Sequence, residues 1–283
     1  MSDIKAHQTV LIELLKEFDK ICRNNNIPYV VFGGTALGAV RHGTIIPWDD
    51  DIDVSMLRKD YEQFLKIAAS ELDEKYYLQS EFSSHWPMAY SKLRKNKTTC
   101  LEKYHPLDKK IHQGIYIDIF PCDNAAERTW KRKAQFYLSR IILAKTLSKR
   151  GYDTDSKSKK LFMLLSKAFP LKPLCKIVKL EKNSNSEYVQ TFISCTSKYN
   201  KGIYKRKWYT ETIEMSLNGI SVPVSAHYDE FLSTLYGDYM TLPTEEERKY
   251  KVHALLVDTE RDYTEYENYR DNIKFDVYTR NIH

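Results

Sequence analysis

Hydrophobic and polar positions alternate along this chain with two periods. Between Thr9 and Cys22, Val10, Leu11, Leu14, Leu15, Phe18 and Ile21 recur at helical spacing, and Asn24-Asn25-Asn26 ends the run. After Pro28, Tyr29-Val30-Val31-Phe32 reads as a short buried strand stopping at Gly33-Gly34. Thr35 is placed to cap a short helix, Ala36 to His42, closed by Gly43. From Asp49 to Met56 the period becomes two: Ile52, Val54 and Met56 share one face, Asp51, Asp53 and Ser55 the other. An amphipathic helix follows, with Tyr61, Phe64, Leu65 and Ala68 inward.

Pro87 to Lys95 reads as a further strand with Lys92 and Arg94 on one face. Gly114 to Phe120 alternates again and sets Asp118 with Tyr116 and Phe120, opposite Ile115, Ile117 and Ile119. The stretch from about 125 to 200 reads as helices broken near Gly151, Pro170 and Pro173. Ile213 to Val224, turning on Asn218-Gly219, has the form of a β-hairpin, and a helix from Ala226 to Tyr236 stops at Gly237. A helix is expected around Glu245 to Val257. The class is α+β: a small mixed sheet flanked by helices, with acids on one face. Three parts follow: a core over 1–124, a basic helical region over 125–204, and a hairpin with helices over 205–283 that completes the core.

Charge changes this picture. The total is +6, yet Arg128 to Lys182 holds 16 Lys/Arg against Asp153, Asp155 and Glu181, a local +13 that leaves −7 elsewhere. The basic segment is a solvated helical face or a surface for an anionic membrane or polymer. Within it, Leu161-Phe162-Met163-Leu164-Leu165, flanked by Lys159, Lys160 and Lys167, fits an interfacial helix and a core helix alike. No apolar run approaches the ~20 residues that cross a bilayer, and the N-terminus lacks the layout of a secretory signal, so a cytoplasmic protein, with peripheral contact at the membrane's inner face, is expected. The five cysteines form no C-x-x-C pair and read as buried thiols.

The acids carry the chemistry. On one strand face, Asp51 and Asp53 repel each other unless a cation lies between them. Oxygen ligands of this kind suit Mg²⁺ or Mn²⁺, which in turn bind phosphate oxygens. Asp118 is a candidate third carboxylate, as metal ligand or as base. For Asp49 and Asp50, solvation or capping competes evenly with metal contact. Gly33, Gly34 and Thr35, between strand and helix, allow close approach of a phosphate to backbone N–H groups, without forming a Walker A loop or a G-x-G-x-x-G turn. Arg41, Lys92 and Arg94 are candidate phosphate-binding cations, with a cluster partner (Arg41) and a solvated strand face (Lys92 and Arg94) as the alternatives.

Strand, Gly-Gly, short helix, Asp-x-Asp and a distant third Asp come in the order of the nucleotidyltransferase (polymerase-β-like) superfamily. At family level, Gly34-Thr35-Ala36-Leu37-Gly38-Ala39-Val40-Arg41-His42-Gly43 and Ile46-Pro47-Trp48-Asp49-Asp50-Asp51-Ile52-Asp53 resemble the signature of LicD family phosphotransferases. Arg58-Lys59-Asp60-Tyr61, Lys92-Leu93-Arg94, Ile117-Asp118-Ile119-Phe120-Pro121, Tyr236-Gly237-Asp238-Tyr239-Met240, Leu242-Pro243, Arg248 and His253 fit it in order. Ala36 departs from the larger aliphatic residue frequent in the family.

The resemblance implies a nucleotidyltransferase-like fold and metal-dependent transfer of phosphocholine, or a related phospho-alcohol, from a CDP-activated donor. The implied acceptor is a sugar hydroxyl of a glycan or lipid-linked sugar, as in teichoic acids, capsules or lipopolysaccharide. CDP-choline is favoured among the donors; ribitol, glycerol and ethanolamine remain open. A choline ammonium needs aromatic faces, and Trp48, Trp86, Tyr90, Tyr116 and Phe120 are candidates for that role or for core packing. His42 and His253 divide evenly between structural hydrogen bonding and substrate contact. The rival readings are a nucleotidyltransferase acting on a small molecule and a nucleic-acid-binding protein. No nucleic acid is expected, because no reading motif accompanies the basic segment and the acids repel phosphate without metal.

Overall fold

The computed structural model describes residues 3–102, 111–152, 154, 156–178, 185–191, 198–249 and 254–269. The first half runs α1 (Ile4–Asn24), β1 (Val30–Val31), α2 (Gly33–His42), β2 (Asp53–Leu57), α3 (Arg58–Glu71), β3 (Tyr76–Gln79), β4 (Ser91–Lys95), β5 (Thr99–Glu102) and β6 (Tyr116–Ala125). The basic region supplies α4 (Thr129–Arg150), α5 (Lys157–Ser166), α6 (Leu171–Val178), β7 (Tyr188–Gln190), α7 (Tyr199–Gly202) and β8 (Tyr204–Lys205). The chain then continues through α8 (Lys207–Thr210), β9 (Thr212–Leu217), β10 (Ile220–Ser225), α9 (Tyr228–Tyr236), α10 (Glu245–Lys249) and β11 (Ala254–Asp258) to a 3₁₀ turn, Tyr263–Tyr269.

The central sheet has the order β1-β2-β6-β4-β3. The β2–β6 pair is parallel and the other pairs are antiparallel. β6 is long enough to serve two neighbourhoods. Its first half lies between β2 and β4, and Asp123 to Ala125 pair with β7, which pairs in turn with β8. The basic middle is therefore not wholly helical, since β7 and β8 extend the sheet. β5 pairs with β11 in a separate two-stranded sheet.

Local chemistry explains most boundaries. The Asp3 side chain accepts from Ala6 N at 2.7 Å and starts α1 earlier than its apolar stripe alone indicated. Leu11, Leu14, Leu15 and Phe18 of that helix are fully buried. They join Ile52, Val54, Met56, Phe64, Ile117 and Ile119 in one core. Asn218 and Gly219 turn the β9–β10 hairpin with φ of 50° and 79°, the double left-handed turn that an Asn-Gly pair tolerates. A smaller apolar cluster of Ala89, Ile142, Leu174 and Val178 packs α6 against α4.

Other expected elements also came out differently. The strand expected from Asp49 begins only at Asp53, because Asp49 to Ile52 form a loop held from outside the sheet. Gln8 Nε2 donates to Ile46 O at 3.0 Å and to Asp49 O at 2.9 Å, and Asp50 Oδ2 accepts from Ala254 N at 2.9 Å. The helix expected over Glu245 to Val257 ends at Lys249, and Ala254–Asp258 is a buried strand. A short apolar run without partners in view reads as either. Strands β3 and β5 had no expectation. Cys22, Cys100 and Cys122 are buried thiols and Cys175 is half-buried; Cys195 and His253 lie outside the described residues.

Candidate active site: an acid cluster beside an enclosed cation box

The sheet register gathers the chemistry into one row. Asp53 on β2 lies opposite Asp118 on β6, Asp118 opposite Lys92 on β4, and Lys92 opposite Gln79 on β3. Directly paired residues share a face, with strands about 4.8 Å apart. Asp53 is fixed through its backbone: its N–H donates to Thr35 Oγ1 at 2.8 Å, and its carbonyl accepts from Phe32 N at 2.9 Å. Thr35 thus neither caps α2 nor offers its hydroxyl to an open surface. α2 already starts at Gly33, which places Thr35, 3 % exposed, inside the first turn against β2.

Gly33 and Gly34 bring that helix start against the acids. Gly33 has φ +56°, and a Cβ there would lie 3.1 Å from Asp53 Oδ2; at Gly34 it would lie 2.7 Å from Asp49 Oδ2. The carboxylates therefore meet the positive end of α2 where any side chain would displace them. Asp49, Asp50 and Asp51 bring one oxygen each to within 4.8 Å of one another. Asp51 shows the consequence: burial, then the charges of Asp53, Asp49, Asp50 and Asp118, push its carboxyl well above the usual range. That donor set, all carboxylate oxygen, fits a hard divalent cation such as Mg²⁺ or Mn²⁺.

Tyr236 and His7, which were not singled out, and Arg41 and Trp48, which were, lie around the acids. Tyr236 ends α9 with its hydroxyl near Gly33, and although 43 % of the residue is exposed, that hydroxyl is pushed upward by burial, then by Asp53, Asp49 and Asp51. Arg41 opposes that shift, and its Nη1 donates to Tyr239 O at 2.5 Å. The Tyr236-to-Met240 motif was the available signal for both contacts. His7, 1 % exposed, is held near pKa 4 by burial, against the pull of Asp50, so it packs beneath the loop as neutral imidazole. Trp48 is half-buried on the acid loop and meets His42 edge-on at 6.1 Å.

Lys92 and Arg94 are placed differently from a phosphate-binding strand face: both are fully buried. Lys92 Nζ lies 3.0 Å from Asp118 Oδ1, 3.6 Å from Glu102 Oε1 and 3.1 Å from the centre of the Tyr116 ring, with Trp86 and Tyr90 at 5.2 and 5.9 Å. Arg94 donates to Gln79 Oε1 and Gly114 O, each at 2.8 Å, and Arg150 Nη2 to Glu102 Oε2 at 2.8 Å. Trp86 and Tyr116 thus form an ammonium cage, and the ammonium inside it belongs to Lys92. β4 is an interior strand, so its polar face turns into packed protein instead of solvent. Asp118 is the hinge between the two groups; burial raises its carboxyl, and Lys92 pulls it down.

A cavity of about 530 Å³ opens on the far side of this box, walled by Ser83, His85, Lys149, Arg150 and Leu171 among others. None of the five acids lines it.

A mixed α+β fold thus presents carboxylates at a Gly-Gly helix start. Residues 26–148 match the family model described as "LicD/FKTN/FKRP, nucleotidyltransferase domain". Over those residues, somewhat less than half of its length, the chain is similar to that family. It is similar to the lipopolysaccharide cholinephosphotransferase LicD of Haemophilus influenzae, with 25% identity over 271 positions, covering 87% of this chain and 94% of the relative. An uncharacterized protein of Rickettsia prowazekii is 33% identical over 117 residues, 41% of this chain and 40% of its own.

Proposed function

We propose that this chain is a transferase that moves phosphocholine, or a related phospho-alcohol, from a CDP-activated donor to a sugar hydroxyl. The acceptor is a cell-surface glycan, lipopolysaccharide in the first instance, or its lipid-linked precursor. The observation that carries the reading is the gathering of Asp49, Asp51, Asp53 and Asp118, the first and third of them against the start of α2, with the burial and then the repulsion that raise Asp51. The Haemophilus relative, a lipopolysaccharide cholinephosphotransferase aligned over most of both chains, supports phosphocholine as the transferred group. The sheet order and the Gly-Gly to Asp-x-Asp path support a nucleotidyltransferase-like fold.

Asp51 and Asp53 would hold Mg²⁺ or Mn²⁺, with Asp49 or Asp118 completing the set. When bound, the cation neutralises charge on the donor phosphates and on the departing CMP. The acceptor hydroxyl forms its new bond to the phosphorus bearing the alcohol, the bond from that phosphorus to CMP breaks, and the hydroxyl proton passes to a carboxylate. Asp118, steadied by Lys92, serves as that acceptor or as third ligand. Arg41, near Tyr236 and the acids, is the cation placed for donor phosphates. With Trp86 and Tyr116 committed to Lys92, Trp48 and Tyr236 are the aromatic residues beside the acids for the alcohol.

The test is a thermal-shift screen of CDP-choline, CDP-ethanolamine, CDP-ribitol, CDP-glycerol, CTP and ATP, with and without Mg²⁺, on wild type and Asp53→Asn. Native-state binding raises the melting temperature by mass action. One CDP-alcohol that shifts wild type only with Mg²⁺, and not Asp53→Asn, identifies the donor. Shifts with ATP or CTP alone turn the reading to nucleotidyl transfer, and none at all sinks it.

A further inference from the structure

Helix α5 wears its amphipathicity outward. At about 100° per residue, Leu161, Phe162, Leu164 and Leu165 occupy one broad arc, and Met163 and Ser166 the opposite side. The small side meets the protein: Ser166 is 1 % exposed and Met163 is half-buried. The apolar arc faces out, with Leu161 56 %, Phe162 42 %, Leu164 60 % and Leu165 58 % exposed, and Phe169 beyond the helix end at 45 %. A helix solvated on its outer face has the reverse arrangement, and a contiguous apolar patch of this kind marks an interaction surface.

Charge says what covers it. From Ser156 to Val178 there are six lysines and no acidic residue. All six lysines are exposed. On α4, against which α5 packs, Trp130 and Tyr137 are 66 % and 55 % exposed two turns apart. Apolar side chains flanked by cations, with aromatics that favour the headgroup level, complement an anionic lipid surface. At ten residues α5 is about 15 Å long, half of a hydrocarbon core, so it lies on a bilayer without spanning it.

We infer that α5, with the turn to Phe169, is an interfacial helix docking this enzyme on an anionic membrane surface. The leucines and phenylalanines enter the headgroup–acyl boundary, and each lysine near the surface strengthens binding roughly fivefold. The inference stands apart from the donor assignment and agrees with an acceptor carried on lipid.

Full-length protein is floated with phosphatidylcholine vesicles, with and without phosphatidylglycerol, at low and high salt. The expected result is binding to the phosphatidylglycerol vesicles, weakened by salt and weakened roughly tenfold or more in Leu164→Glu/Leu165→Glu and in Lys159→Ala/Lys160→Ala. Equal binding to neutral vesicles, binding to neither, or variants that bind like wild type would each overturn it. So would a wild-type dimer in sedimentation, made monomeric by Leu164→Glu/Leu165→Glu and blind to vesicles, which assigns the face to a second copy. These positions are exposed and far from the acids in sequence, so melting temperature and donor-dependent shift are expected to match wild type. A failure here is thereby separated from a failure of the transferase reading.

Discussion

Two groups of charge meet at Asp118 and are built on opposite principles. On the β2 side, the charges acting most strongly on Asp51 are Asp53, Asp49, Asp50 and Asp118, all of one sign. On the β4 side, Lys92, Arg94 and Arg150 are enclosed with Glu102, Asp118 and aromatic faces. In the box, cations and acids pair within the protein; in the acid cluster, the charges acting most strongly on Asp51 only repel it. Buried charges compensated from within serve folding, whereas like charges held together against their repulsion mark a site where something binds.

The sharpest break in this comparison comes from Asp53→Asn. Transfer should fall by roughly a thousandfold or more, while the melting temperature without divalent cation stays level or rises, since one charge opposing Asp51 is gone. A lower melting temperature would instead put Asp53 among structural ion pairs. Lys92→Met should do the opposite, costing about 3–5 kcal/mol in urea unfolding, because Asp118 and Glu102 lose the cation between them. Stability close to wild type would show that the box does not hold the fold.

Gly34→Ala probes the acid side more gently. A Cβ 2.7 Å from Asp49 Oδ2 must displace that carboxylate, and a displacement of this size is expected to reduce turnover by roughly 10–100-fold with little change in unfolding. Unchanged turnover would remove Asp49 from the site.

The contrast also extends to pH. His112 stacks on Tyr77 at 4.8 Å, accepts from Gly114 N at Nδ1 (3.1 Å) and pairs through Nε2 with Asn96 Oδ1 at 2.9 Å. A backbone N–H only donates, so the imidazole is neutral with its proton on Nε2. Burial, and then Arg94 of the box, lower its pKa from 6.5 to about 3. Its contribution is complete above 6.5 and is lost as pH falls toward 3, on the order of a few kcal/mol, and His112→Gln should flatten that limb. Asp51 has the opposite sign: its carboxyl is raised, so it favours folding as pH falls. Urea midpoints across pH for Asp51→Asn and His112→Gln would separate the two; slopes of one sign would contradict the contrast.

Wherever periodicity and punctuation are local, the sequence determined the outcome by itself. The stripe of α1, the Asn218-Gly219 hairpin and the alternation through Ile52, Val54 and Met56 all stand. The register also sets Asp53 opposite Asp118, on the two strands where alternation had placed them. The tertiary structure alone decided which polar faces would see solvent. Lys92 and Arg94 alternate as an exposed pair would, yet β4 is flanked by β3 and β6 and its polar face is enclosed. Trp86 and Tyr116 suit an ammonium, as their chemistry indicates, but the register brings them Lys92. Ala254–Asp258 becomes a strand only because β5 lies beside it. The physical reason is common to all three: a side chain's period is written in its own few residues, whereas its burial and its counterion come from strands tens to hundreds of positions away.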